Sequence, residues 1–199
     1  MLTDTAVILA GGKSTRMGFD KQQLKIGNKI IAEYIADKLS NDFSQIIVVS
    51  NKPHLYENTG LFVVEDEIKG YGPLAGLYTG LTYSKSKFIY LIACDMPNIS
   101  LEFIRYMKGL VKNNTDKKAF VLRHDDNKIE LFNSFYSVKA MEEVEQLFSL
   151  KIQRFQTLLK WLPTHYISES EARKFSPDLS IFKNLNTRSD LEKWQISIE

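Results

Sequence analysis

The chain has 199 residues, 44% of them hydrophobic, with 26 Lys and Arg balanced by 24 Asp and Glu. A net charge of +2 argues against a general nucleic-acid binder, which carries a strongly basic face. The single cysteine, Cys94, leaves no intramolecular disulfide and no thiolate metal cluster.

This length suits one domain with a sizeable core, spanning 1–199. The first apolar run, Ala6–Ala10, is too short for a signal peptide or a membrane span, so a reduced cytoplasmic compartment with no membrane partner is expected. Ala6–Leu9 reads as a buried strand, rich in branched residues. The stretch after it, "AGGKSTRMGFDK", combines glycines with Lys13, Arg16 and Lys21. Its Gly-Lys-Ser does not make a P-loop, because the position five before Gly12 is Val7, inside the strand. The dinucleotide fingerprint fails as well, since Gly11 and Gly12 are adjacent and the next glycine is Gly18. The loop still suits an anion: glycine N–H groups can approach a phosphate closely, and three cations stand near. A glycine turn opening a solvated basic helix fits the same residues.

Ile31, Tyr34, Ile35 and Leu39 share one face of a helix, and Ile46–Val49 is the next strand, with Asn51 just beyond it. Phe62–Val64 is a strand leading to Asp66. Leu74, Leu77, Tyr78 and Leu81 repeat at helical spacing, with Pro73 at the first turn, where its missing N–H costs nothing. Phe88–Ala93 is a strand leading to Cys94 and Asp95, and Ser100 caps a helix on Leu101, Ile104, Met107 and Val111. Strands follow at Ala119–Leu122 and Asn133–Ser137, separated by the exposed turn Arg123–Lys128. A helix on Met141, Val144, Leu147 and Phe148 comes next, then a short one over Arg154–Leu162, stopped by Pro163. Thr187 with Asp190 forms a capping box for a last helix carrying Leu191 and Trp194.

Alternating strands and helices predict a mostly parallel sheet in a three-layer α/β/α, Rossmann-like arrangement. Ligands of such a sheet bind beyond the carboxyl ends of the strands. Gly11, Asn51, Asp66 and Asp95 all follow strands and so can share one crevice. Asp95 by itself also suits a cap before Pro97, and Asn51 a turn.

The string L-A-G-G-x-S-x-R-M-G-x-D-K over Leu9–Lys21 closely resembles the signature of the molybdenum cofactor guanylyltransferases. "CDMP" resembles that family's metal-binding C-D-x-P, "GPLAG" after Asp66 resembles its nucleotide-side motif, and "FKNLNTRSDL" resembles its C-terminal motif. The resemblance implies a nucleotidyltransferase fold and transfer of GMP from GTP to molybdopterin. It implies Mg²⁺ on Asp95, catalysis by Arg16, Lys21 and Asp95, and nucleotide contacts from Leu9, Ala10, Gly11, Gly12, Lys21, Asn51, Asp66 and Asp95. It assigns Asn184 and Asn186 to the pterin side, where they also read as turn and pre-cap residues. It further implies a monomer in transient contact with molybdopterin-donating and molybdoenzyme-maturation proteins. One departure stands out: "HDDNKIELFNSFYS" lacks the proline that the family usually carries before the leucine of this region. His54, His124 and His165 show no ligand spacing and no linked acidic partner, so neither a triad nor a zinc site is expected. A related transferase using CTP or UTP on another phosphorylated acceptor, and a nucleotide-binding module without turnover, remain open at this level.

Overall fold

The computed structural model describes residues 1–11, 22, 24–66 and 68–198. The elements begin with β1 (Thr5–Leu9), a ribbon of β2 (Lys25–Ile26) and β3 (Lys29–Ile30), α1 (Ile31–Leu39) and β4 (Gln45–Ser50). Next come β5 (Phe62–Glu65), α2 (Pro73–Thr82), β6 (Phe88–Ala93), α3 (Leu101–Asn113), β7 (Ala119–Arg123) and β8 (Ser134–Ser137). The chain closes with α4 (Met141–Ser149), α5 (Phe155–Trp161), β9 (Thr164–Ser168), α6 (Glu169–Ala172) and α7 (Arg188–Ile198).

Seven strands form one sheet in the order β5-β4-β1-β6-β8-β7-β9. β1 is buried along its whole length because it has a strand on each side and helices over both faces. It pairs in parallel with β4, Ile8 opposite Val48, and with β6, Ile8 opposite Ile92. Only β8 runs against its neighbours β6 and β7, which keeps the sheet mostly parallel as expected. The residues of β1 alternate between two cores. Ala6 and Ile8 meet α1, α3 and α7; Val7 and Leu9 meet α2, α4 and α5. The chain steps from β1 outward to β4 and β5, then crosses back to β6 on the far side of β1. That reversal opens a crevice at the carboxyl end of β1, the usual ligand address of such sheets.

Local chemistry sets the helix starts. Glu33 accepts the Ile30 N–H at 2.8 Å ahead of α1, and Ser100 accepts the Phe103 N–H at 3.2 Å at the start of α3. Ahead of α2, Gly72 has φ 54° and ψ −134°, a region open essentially to glycine alone. Gly76 and Gly80 have another role. A Cβ on Gly76 would lie 2.9 Å from Leu9 Cδ2, and one on Gly80 2.7 Å from Val7 Cγ1. The two glycines, one turn apart, let α2 ride close on β1. The room that the missing Cβ of Gly76 leaves is taken by Leu9.

The sequence pattern does not announce β2, β3, β9 or α6. β9 is an edge strand that fully buries only Ile167, so its hydrophobic alternation is weak. Among the described residues no helix is long and apolar enough to cross a membrane.

Candidate functional site

The strand exits converge on one cleft of about 930 Å³. Ladder-type hydrogen bonds continue past the strand ends and aim the loops. The Ala10 N–H donates to the Val49 carbonyl at 2.9 Å, and the Cys94 N–H to the Leu9 carbonyl at 2.9 Å. The Asp66 N–H donates to the Ser50 carbonyl at 3.3 Å. Of the residues singled out from the sequence, Leu9, Ala10, Gly11, Asn51, Asp66, Asp95 and Asn184 line this cleft. Gly11 is exposed, and a Cβ there would meet nothing within 4 Å, so the cleft is open above its backbone. Gly12, Arg16 and Lys21 lie outside the described residues.

Asn51 is held by a residue that sequence reasoning does not single out. Gln22 is 3% exposed, and its Nε2 donates to Asn51 Oδ1 at 3.3 Å. Gln22 Oε1 accepts from the Ser50 hydroxyl at 2.6 Å and from the Tyr56 hydroxyl at 3.2 Å. A buried amide with this many partners ties Gln22 to the exit of β4. The one signal in the sequence is its alternation with Leu24, also buried.

Asp66 is half-buried beyond β5, and burial raises its carboxyl above the usual aspartate range, offset in part by the Ile68 N–H. Its Oδ1 is buried with no hydrogen-bond partner among the described residues. An unsatisfied buried carboxylate oxygen is costly unless a donor arrives. Glu65 also lines the cleft but is exposed, so of these two the carboxylate with an unsatisfied buried oxygen is Asp66.

Asp95 comes two residues after β6 and is pinned by the C-terminal segment. Its carbonyl accepts the Leu185 N–H at 2.8 Å, and its carboxylate accepts from Asn184 Nδ2 at 3.3 Å. Farther on, Trp194 Nε1 donates to Asn98 at 2.7 Å, and Asn98 donates to the Ser180 carbonyl at 3.1 Å. Asn186 is not among the cleft-lining residues. Its backbone N–H donates to the Asp190 carboxylate at 3.0 Å, in the same cap that takes the Thr187 N–H at 2.8 Å. The described residues hold no group of three His, Cys, Asp or Glu able to bind a metal by themselves. One carboxylate at the mouth of the cleft, such as Asp95, suits a cation that completes its shell with phosphate oxygens and water.

The expectation for His124 is corrected. Its Nδ1 pairs with Glu169 at 2.9 Å and its Nε2 with Glu130 at 2.9 Å, carboxylates that the fold gathers from two other segments. Burial alone would lower the imidazole pKa, but the two carboxylates outweigh it and the pKa is raised. Glu169 falls to about 2, through Arg173 first and His124 second. Among the described residues no serine or cysteine bonds to this histidine, so the cluster reads as a brace for the turn after β7 and not as a triad.

Residues 6–166 match the family model of the MobA-like NTP transferase domain. A molybdenum cofactor guanylyltransferase of Syntrophotalea carbinolica is 47% identical over 191 residues, 96% of this chain and 90% of the relative. A probable molybdenum cofactor guanylyltransferase of Peptoclostridium acidaminophilum is 41% identical over 197 residues, 97% of this chain and 89% of the relative. The fold is similar to a crystal structure of molybdopterin-guanine dinucleotide biosynthesis protein A from Archaeoglobus fulgidus, with a TM-score of 0.83 at 24% identity over 98% of each chain.

Proposed function

The chain belongs to the MobA-like NTP transferase family and its molybdenum cofactor guanylyltransferase branch, and from that premise we propose how this cleft performs the reaction. The activity is transfer of GMP from GTP to molybdopterin, giving molybdopterin guanine dinucleotide and pyrophosphate. A phosphate oxygen of molybdopterin attacks the α-phosphorus of GTP. The bond from that phosphorus to the bridging oxygen breaks, and pyrophosphate leaves with the electron pair. The acceptor supplies its own nucleophile, so the chain has only to align the phosphates and offset their charge.

The observation that carries this reading is the shared cleft: Gly11, Asn51, Asp66 and Asp95 exit four different strands and line one cavity. Asp66 and Asn51 take the base end. The orphaned Asp66 Oδ1 is an acceptor suited to the N1–H and N2–H donors of guanine, an edge that cytosine and uracil do not present. Gly11 and Gly12 offer N–H groups to the phosphates, with Leu9 and Ala10 as the rim. Arg16 and Lys21 offset the charge gathering on pyrophosphate. Asp95 holds Mg²⁺, which when bound supplies positive charge against the phosphate oxygens. Asn184 orients the Asp95 carboxylate, and Asn186 stands on the pterin side. The protein acts as a monomer, meeting its molybdopterin donor and its product's recipient only transiently.

The test is purified protein with Mg²⁺, molybdopterin and each of the four nucleoside triphosphates in turn, assaying dinucleotide and pyrophosphate. GTP alone is expected to give product and the largest rise in melting temperature. Turnover with CTP or UTP in preference to GTP would replace this reading with a related transferase. Binding with no pyrophosphate release would reduce the protein to a nucleotide-binding module.

A further inference from the structure

We propose that Phe132 is the platform on which the flat pterin end of the acceptor stacks, and that Asn133 is the positioning residue that keeps it there. This rests on the guanylyltransferase reading and deepens it. The order of the strands carries the argument. Along the cleft edge, Asp66 follows β5, Asn51 follows β4, Gly11 follows β1 and Asp95 follows β6. The next strand is β8, antiparallel to β6, so its start and not its end lies at this edge. Phe132 stands just before that start and lines the same cleft. The nucleotide-side groups thus lie to one side of Asp95, and Phe132 lies to the other, where the attacking acceptor must enter.

Phe132 is half-buried and packs edge-to-face on Phe155, with ring centroids 6.4 Å apart and planes at 86°. A ring braced from behind and open to a cleft is a stacking surface, and stacking on aromatics accepts any flat heterocycle. The next residue shows how it is held. Asn133 is 2% exposed and has φ 56°, the left-handed region that asparagine tolerates better than most residues. Its Oδ1 accepts the Tyr90 hydroxyl from β6, and its Nδ2 donates to the Ile181 carbonyl at 3.1 Å. One buried amide therefore joins the strand that carries Asp95, the start of β8 and the segment that leads to Asn184. The three groups that meet the acceptor are set relative to one another through it.

The experiment uses the full chain, with initial rates at varied molybdopterin and varied GTP, and with GTP affinity measured separately by calorimetry. Phe132→Leu, which keeps apolar bulk and loses the ring, is expected to raise KM for molybdopterin on the order of 10-fold, whereas Phe132→Tyr stays within about twofold. GTP affinity is expected to be unchanged in both. Asn133→Gly keeps the positive φ, loses both hydrogen bonds, and is expected to raise the same KM more than it lowers kcat. A rise in the GTP dissociation constant of Phe132→Leu, unchanged KM values, or a Tyr variant as impaired as Leu would overturn the platform. Wild-type protein that forms no dinucleotide would overturn the transferase reading itself, and the platform with it.

Discussion

Asn184 donates its side-chain amide to the Asp95 carboxylate at 3.3 Å, across a sequence separation of 89 residues. The contact sets the direction of the one carboxylate that stands at the end of β6. Asp95→Ala is expected to leave the fold intact, because the Leu185 N–H bonds the Asp95 backbone carbonyl and not the side chain. Turnover should fall by ~10²-fold or more, the scale of losing one electrostatic stabiliser. Asn184→Ala should cost less, since the carboxylate remains but is no longer oriented. Undiminished GTP-dependent pyrophosphate release by Asp95→Ala, with molybdopterin present, would remove Asp95 from the reaction.

Asp66 sets function against stability. Its pKa is raised by burial above the ordinary 3.8. A group raised in this way stabilises the fold below its ordinary pKa, and that contribution is lost as pH rises through the folded value. At neutral pH the ionised carboxylate is therefore a cost to folding. Asp66→Asn should melt no lower than the wild type near neutrality, while GTP affinity falls by ~10-fold or more, as expected for a lost charged hydrogen bond. Thermal melts and nucleotide titration of the same preparation check both halves. A variant that is less stable and binds GTP normally would make Asp66 a structural residue.

Gly80 and Gly109 should respond to alanine in opposite directions. In a helix interior alanine is favoured over glycine by about 0.8–1 kcal/mol. At Gly109, exposed in α3 with nothing within 4 Å of a Cβ, that gain stands alone. At Gly80 the new Cβ would meet both Val7 methyl groups, at 2.7 and 2.9 Å, so rotating the valine does not relieve it. Nor can β1 yield, being paired on both sides. Overpacking of this kind costs about 1–3 kcal/mol and wins. Urea denaturation should show Gly109→Ala stabilised and Gly80→Ala destabilised; a stabilised Gly80→Ala would contradict the close approach of α2.

The His124 cluster gives the fold a pH dependence. A raised histidine pKa means stability that is full below the ordinary 6.5 and lost as pH rises through the folded value. Glu169, lowered to about 2, works the other way, its contribution present above the ordinary 4.5 and lost as pH falls through about 2. The two overlap between the ordinary values. His124→Gln should therefore lose stability mainly on the acidic side of neutrality and track the wild type at alkaline pH. Denaturation midpoints from about pH 5 to pH 9 test this; an identical slope in both proteins would dismiss the double ion pair.

Much of the architecture was legible because burial writes a period into the chain. β1 stood out as an unbroken apolar run because it is covered on both faces, and helices α1, α2 and α3 show their apolar stripes. Gly11, Asn51, Asp66 and Asp95 could be found because each follows such a strand, and a parallel sheet sends all its carboxyl ends to one edge. Other features carry no local trace. β9 is an edge strand and buries too little to alternate. Gln22 looks like any polar residue until Ser50, Asn51 and Tyr56 close around it. His124 finds its carboxylates on Glu130 and Glu169, the latter 45 residues away. Asn133 finds its hydrogen-bond partners on Tyr90 and Ile181, 43 and 48 residues away. The sequence by itself determined the fold class, the family and the residues at the strand ends, since periodicity and loop motifs are local properties. Only the tertiary structure decided which polar side chains are buried, paired or left wanting a donor, because hydrogen-bond partners come from wherever the chain returns.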